Sequence, residues 1–251
     1  MPIQKLSVII PSYNEEKNFG RGVLQDVVAY LEKQSYDWEL VLTDDGSTDK
    51  TVSLLKDFAK GKSNVKVVEN THGGKGPTVS AGMLAATGDY RIFSDFDQST
   101  PISEVEKFIP FIEDGYEVVI GSRAVQGARR QDEPLHRHLM GKGFNLLVQL
   151  IAVPGIYDTQ CGFKLFSGKA AEDLFPRLQV YANKGRQDAF TGAFDVELLL
   201  LARRFGYSIA EVPVVWHHHE TDRVSPVKDS LLMLRDIVKI RWNDVQRRYS
   251  E

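Results

Sequence analysis

Five short runs rich in β-branched and aliphatic residues recur along the first half of the chain, each separated from the next by a stretch of helical periodicity. They are Leu6-Ser7-Val8-Ile9-Ile10, Glu39-Leu40-Val41-Leu42, Val65-Lys66-Val67-Val68, Tyr90-Arg91-Ile92-Phe93 and Glu117-Val118-Val119-Ile120. Apolar strands alternating with helices predict an α/β fold, a largely parallel sheet whose crossover helices cover both faces. The spacing predicts helices near 16–34, 48–60, 75–87 and 102–114. Strands end in Pro11-Ser12-Tyr13-Asn14, Asp44-Asp45-Gly46-Ser47, Asp95-Phe96-Asp97 and Gly121-Ser122-Arg123. Open α/β sheets bind ligands outside the carboxyl ends of their strands, so these segments are predicted to converge on one cleft.

The second half is less regular, with helices expected near 136–153, 168–176 and 193–206, a strand near 208–217 and a last helix from about 226 to 248. In that helix Val227, Leu231, Leu234, Val238, Trp242 and Val245 repeat at helical spacing among Lys228, Arg235, Lys239, Arg241, Arg247 and Arg248, which makes it amphipathic and basic. It is read either as a reversible contact with anionic membranes or as ordinary core packing. A chain of 251 residues, 42% hydrophobic, suffices for one sizeable core, expected over 1–225, with 226–251 as a helical extension. The net charge of -3 gives no general nucleic-acid footprint. A single cysteine, Cys161, excludes an intrachain disulfide and a Cys-rich zinc site and fits a reducing compartment. The first residues leave no room for a secretory signal, and the apolar stretch Phe144 to Val153 falls short of the roughly 20 residues of a spanning helix. A cytoplasmic chain without a transmembrane helix is the expectation.

Asp95-Phe96-Asp97 follows an apolar strand directly, so two carboxylates leave the sheet at its ligand edge. Their oxygens suit Mg²⁺ or Mn²⁺ shared with substrate phosphates, although a solvated turn capped at Ser99 or Thr100 also accounts for the pattern. Asp44 or Asp45 is a candidate acceptor for a base N–H or a ribose hydroxyl; a turn with a capping box is the structural alternative. His72-Gly73-Gly74-Lys75-Gly76-Pro77 offers backbone N–H groups and an ammonium to phosphate before a helix. It is not a P-loop, having Glu69 and Gly76 where Gly and Ser or Thr are required, and no GxGxxG follows the first strand. From Arg123 the chain continues through Arg129, Arg130, His136, Arg137 and His138, a loop rich in phosphate donors or simply a solvated one. His217-His218-His219 suggests zinc, but strand alternation separates His218 from its neighbours, so the run is read as a surface strand end or a phosphate contact.

In their order, these motifs resemble glycosyltransferases of family 2 with the GT-A fold, a Rossmann-like arrangement. Asp158-Thr159-Gln160-Cys161-Gly162-Phe163-Lys164-Leu165-Phe166 and Ala193-Phe194-Asp195-Val196-Glu197-Leu198 look like the dolichyl-phosphate β-glucosyltransferase branch. The resemblance implies nucleotide-sugar contacts from Pro11, Tyr13, Glu15, Asp45, Lys75 and Asp95, and metal and diphosphate chemistry at Asp95 and Asp97. It implies UDP-glucose as donor, a polyprenyl phosphate as acceptor and an inverting displacement, with Lys75 and Arg223 near the leaving UDP. Arg123, Arg129, Arg130, Arg137 and Asp158 are assigned to the acceptor side, and Arg123 also to catalysis. Where dolichyl-phosphate mannose synthases carry a metal-binding Gln two residues past the second Asp, this chain has Ser99. A phosphate acceptor needs no general base, whereas a sugar hydroxyl would call on Asp158 or Asp195. The alternatives are a soluble glycosyltransferase acting on a saccharide hydroxyl and a non-catalytic nucleotide-sugar-binding protein.

Overall fold

The computed structural model describes residues 3–131, 135–182, 192–218 and 226–249, with side chains of 135–140, 142 and 226–228 left out. In chain order the elements are β1 (Lys5–Ser12), α1 (Glu16–Phe19), α2 (Val23–Leu31), β2 (Asp37–Asp44), α3 (Thr51–Ala59), β3 (Val65–Glu69), α4 (Lys75–Ala85), β4 (Tyr90–Ser94), a 3-10 turn (Ile102–Lys107), α5 (Ile109–Glu113) and β5 (Val118–Ser122). There follow β6 (Arg129–Gln131), α6 (Leu135–Ile151), β7 (Phe163–Ser167), α7 (Gly168–Leu174), a second 3-10 turn (Phe175–Arg177), α8 (Phe194–Arg204), β8 (Ile209–Pro213), β9 (Val215–His217) and α9 (Pro226–Val245).

Seven strands form one sheet in the order β3-β2-β1-β4-β7-β5-β8, parallel throughout except that β7 runs antiparallel to both its neighbours. The five expected strands are all present. Successive side chains of a strand point to opposite faces, so each strand feeds two cores. Ile9, Val41, Phe93, Ile120 and Phe166 pack with Val79 and Met83 of α4, with α7 and α8, and with Ile237 and Ile240 of α9. On the other face Val8, Ile10, Leu40, Leu42, Ile92 and Leu165 meet Leu24, Val27 and Leu31 of α2 and Leu55 of α3. Helix α9 thus shares the sheet's core through its inner side.

Four expectations need correction. The helix near 16–34 is two helices, parted at Gly22, whose φ of 76° is costly for other residues. The helix near 102–114 begins as a 3-10 turn, with Pro110 in the first turn of the α5 that follows. The strand near 208–217 is split: β8 pairs with β5, while β9 leaves to pair with β6 in a separate two-stranded sheet. Strand β7 was not anticipated at all; because it is reversed, its first residue, Phe163, lies opposite Ser94 at the end of β4. The loop before β7 therefore enters the ligand edge together with the loops that follow β1, β2, β4 and β5. Among the described residues no helix is long and apolar enough to cross a membrane.

Candidate active site

The residues expected at the donor gather where β1, β2 and α4 meet. Asn14, in the left-handed region at φ 52°, accepts Thr48 N–H at 2.8 Å, and its own N–H bonds Ser47 Oγ at 2.9 Å. Asp44 accepts the Ser47 N–H at 2.8 Å in a tight turn. Gly46 is needed there, since a Cβ would lie 2.8 Å from the His72 backbone nitrogen. Asp45 is buried, and its carboxylate accepts Gly73 N–H, Gly74 N–H, Thr78 Oγ1 and His72 Nδ1 at 2.8 to 3.1 Å. Both carboxylates thus already have partners within the chain, and Asp45 shapes the glycine loop from below. The His72 ring it holds is stacked on Tyr13, with centroids 4.4 Å apart. Pro11 is the next-to-last residue of β1, opposite Thr43, and Glu15 is buried with Oε2 accepting from Asn18 at 2.5 Å.

Lys75 opens α4 and points its ammonium at Asp95, with which it forms a short ion pair. Burial alone would lower the Lys75 pKa, but Asp95, Asp195 and Asp97 outweigh it and raise it, so the cation persists. Asp97 accepts the Ser99 N–H at 2.9 Å. Gly162 lies hard against Asp95: an added Cβ would come 2.1 Å from Oδ2, so only a glycine leaves the carboxylate in place. Below them is a feature not expected from the sequence. Lys164, fully buried in β7, pairs with Asp195 at 2.7 Å and donates to the Cys161 carbonyl. Burial raises the Asp195 pKa against the pull of Lys164 and Lys75. Charges therefore alternate from Lys164 through Asp195 and Lys75 to Asp95. The Cys161 thiol is buried and pushed up to about 11, which leaves it unreactive.

The described residues expected at the acceptor lie across β5, β6, β9 and the loop before β7. Arg123 Nε and one terminal nitrogen reach the Asp158 carboxylate at 2.7 and 2.9 Å, and the Arg123 backbone N–H adds a third bond at 2.8 Å. Its guanidinium lies 5.3 Å from the centre of the Trp216 ring. Arg130, paired with Trp216 in the β6–β9 ladder, donates from Nε to the Arg123 carbonyl at 2.8 Å. Arg129 is exposed on the same strand. The side chain of Arg137, in α6, and all of Arg223 lie outside the described residues. His217 donates its N–H to Ser99 O and His218 to Gln131 O, as a strand end would.

Burial raises the Asp158 pKa, but the Arg123 charge and hydrogen bonds, with Lys164, bring it down from 3.8 to about 2. A carboxyl with a depressed folded pKa adds stability above its ordinary pKa and loses it as pH falls through the folded value. This amounts to about 2 kcal/mol. The stability gap between wild type and Asp158→Asn is thus expected to narrow as pH falls from 3.8 towards about 2, measured by urea unfolding. A gap constant across that range would mean that Asp158 is not held ionised by Arg123.

Among the described residues there is no cluster of three or more His, Cys, Asp or Glu side chains fit to cage a metal. The oxygen pair at Asp95 and Asp97 fits Mg²⁺ or Mn²⁺ of the kind completed by substrate phosphates. Gln98 adds an orphaned acceptor beside it. Its Nε2 is fixed by bonds to Ser94 Oγ and Asp95 O at 3.0 and 2.9 Å, which leaves Oε1 buried and without a hydrogen-bond partner.

Comparison with known proteins agrees with this geometry. The model of glycosyl transferase family 2 matches residues 7–175. The chain is 34% identical over 251 residues to dolichyl-phosphate beta-glucosyltransferase of Dictyostelium discoideum, covering 94% of this chain and 74% of that protein. It is 36% identical to the Drosophila melanogaster protein of the same name, covering 95% and 75%. The crystal structure of glucosyl-3-phosphoglycerate synthase from Mycobacterium tuberculosis with Mn²⁺, UDP and glucosyl-3-phosphoglycerate superposes with a TM-score of 0.64 at 18% identity, over 95% of this chain and 80% of that one. A sheet that gathers its polar strand ends around one acidic pair, and a family match over two-thirds of the length, make this chain a glycosyltransferase of family 2.

Proposed function

We propose that the enzyme transfers glucose from UDP-glucose to the phosphate of dolichol or another polyprenol, with inversion at the anomeric carbon. The observation that carries the choice of acceptor is the state of the two candidate bases. Asp158 is acidified and locked to Arg123, and Asp195 is buried in an ion pair with Lys164. Neither is placed to deprotonate a sugar hydroxyl. A phosphate acceptor is already anionic and asks only for cations, which Arg123, Arg129 and Arg130 provide.

In this reading Pro11, Tyr13, Glu15 and the loop shaped by Asp45 receive the nucleotide, and Lys75 faces its diphosphate. Asp95 and Asp97, with Gln98 Oε1 beside them, would hold Mg²⁺ or Mn²⁺. The bound ion supplies Lewis-acid stabilisation of the departing diphosphate. Lys75 adds a fixed positive charge on the same side, and Arg223 is assigned there from the sequence. An oxygen of the acceptor phosphate attacks the anomeric carbon, the bond to UDP breaks, and UDP leaves with the electron pair. No proton moves. In this reading the enzyme works at the cytoplasmic face of a membrane, and a chain whose one cysteine, Cys161, is buried calls for no oxidising compartment.

Arg130 gives the cleaner test of the acceptor half, because removing Arg123 alone would strand the buried Asp158 charge. Arg130→Gln is expected to lower kcat/KM for polyprenyl phosphate about ten- to 150-fold, the worth of a charge-assisted hydrogen bond, with UDP affinity unchanged. Loss of UDP affinity with normal transfer at saturating donor would place Arg130 in the donor half instead.

A further inference from the structure

Helix α9 is apolar on two opposite sides. At about 100° per residue, Leu231, Val238, Trp242 and Val245 fall within an arc of about 60°, centred opposite the buried Ile240. These four are exposed, Trp242 by 58%. Helix α6 packs against α9 and behaves alike: Val148 is buried, while Leu146, Leu147 and Leu150 face outward, Leu150 by 73%. Seven of the nine large apolar side chains exposed among the described residues therefore stand on two neighbouring helices, too concentrated for chance exposure.

The charge around them is equally one-sided. Along residues 229–249 five exposed cations, Arg235, Lys239, Arg241, Arg247 and Arg248, stand against three acidic residues, in a chain whose net charge is -3. Of the three acids, Asp236 is buried and Asp244 is bonded to Arg204 and Arg241. Arg235 and Arg241 are paired with Asp236 and Asp244, while Lys239, Arg247 and Arg248 make no ion pair among the described residues. An apolar stripe bordered by such cations matches the interface of an anionic bilayer, where aliphatic side chains enter the acyl boundary and cations meet head groups. A second copy of the chain matches it less well, since a two-fold contact would set basic surface against basic surface. A short connection also joins the patch to the residues proposed for the acceptor. Six residues, among them the exposed Tyr157, lead from the end of α6 to Asp158, the partner of Arg123.

We infer that the outer faces of α6 and α9 form a single docking surface for anionic lipid, which seats the enzyme on the membrane with its acceptor half towards the lipid. This rests on the polyprenyl-phosphate reading for its purpose but not for its test. Flotation with phosphatidylcholine vesicles, with and without phosphatidylglycerol and free of polyprenyl phosphate, measures docking alone. The wild type is expected to float with the anionic vesicles and to lose binding as salt rises, with Trp242 emission shifting to the blue. Leu150→Ser/Val238→Ser/Trp242→Ser should cut partitioning about tenfold or more. Lys239→Glu/Arg247→Glu should cut it about fivefold or more for each charge. Both variants are changed only at exposed positions, so melting temperature and turnover on a water-soluble short-chain polyprenyl phosphate should stay as in wild type. Absence of the wild type from the lipid fraction at low salt overturns the inference. So does unchanged flotation of the triple serine variant, or a dimer abolished by those same substitutions. Flotation without turnover of the short-chain phosphate would leave the docking surface standing and sink the acceptor assignment.

Discussion

Alanine at Asp97 should reduce glucosyl transfer about a thousandfold, roughly 4 kcal/mol of transition-state stabilisation, while the protein stays folded. The separation of the two effects follows from where the residue sits. Asp97 stands outside β4 and its one recorded bond within the fold is to the Ser99 N–H, worth about 1 kcal/mol. In the proposed reaction its remaining oxygen would serve a cation shared with the donor diphosphate. Turnover and thermal unfolding measured on the same preparation decide the matter: near-normal kcat at saturating Mn²⁺ would remove Asp97 from the metal site. Mn²⁺ binding followed by electron paramagnetic resonance in the presence of UDP should weaken in parallel.

The second large effect is on stability. Lys164→Met takes the cation from a buried carboxylate, and breaking a buried pair in this way costs about 3–5 kcal/mol. The cost should be greatest at neutral and higher pH. It should shrink as pH falls, because Asp195, whose pKa is already raised by burial, then takes up a proton and ceases to be a stranded charge. Lys164→Met/Asp195→Asn should recover much of the loss, since no charge is left unpaired. Urea unfolding at two pH values tests this. A single variant within about 1 kcal/mol of wild type at pH 8 would show that the ion pair does not hold the charge chain together.

Strands β1 to β5 and the convergence of their ends were legible because each combines an apolar run with a polar terminus. The acidic pair at Asp95 and Asp97 could be read for the same reason, since nothing intervenes between it and its strand. Strand β7 was hidden because Lys164 interrupts its apolar run, and no local pattern tells that a lysine is buried against an aspartate some 30 residues away. The role of Asp45 was ambiguous in the sequence between ligand contact and turn. Its four partners, three of them in the 72–74 loop, exist only once β2 and α4 are packed together. Helix α9 looked like a choice between core packing and lipid, and the fold shows an inner side in the core and an outer side left apolar. Periodicity reports an apolar stripe but not which neighbour covers it.

Because β7 runs against the sheet, it works as a ruler laid between the two halves of the site. Asp158 holds Arg123, Gly162 leaves space for the Asp95 carboxylate, and Lys164 anchors the charge chain, all within seven consecutive residues. Sliding the strand by one position would turn Lys164 to the wrong face and draw Gly162 and Asp158, in the loop that leads into it, along by about 3.3 Å. One residue inserted there would spoil donor and acceptor binding in a single step, whereas one inserted before Asp158 would be taken up outside the ruler. Spacing along this short segment, more than the identity of any one of its side chains, keeps Arg123 in line with Asp95 and Lys75.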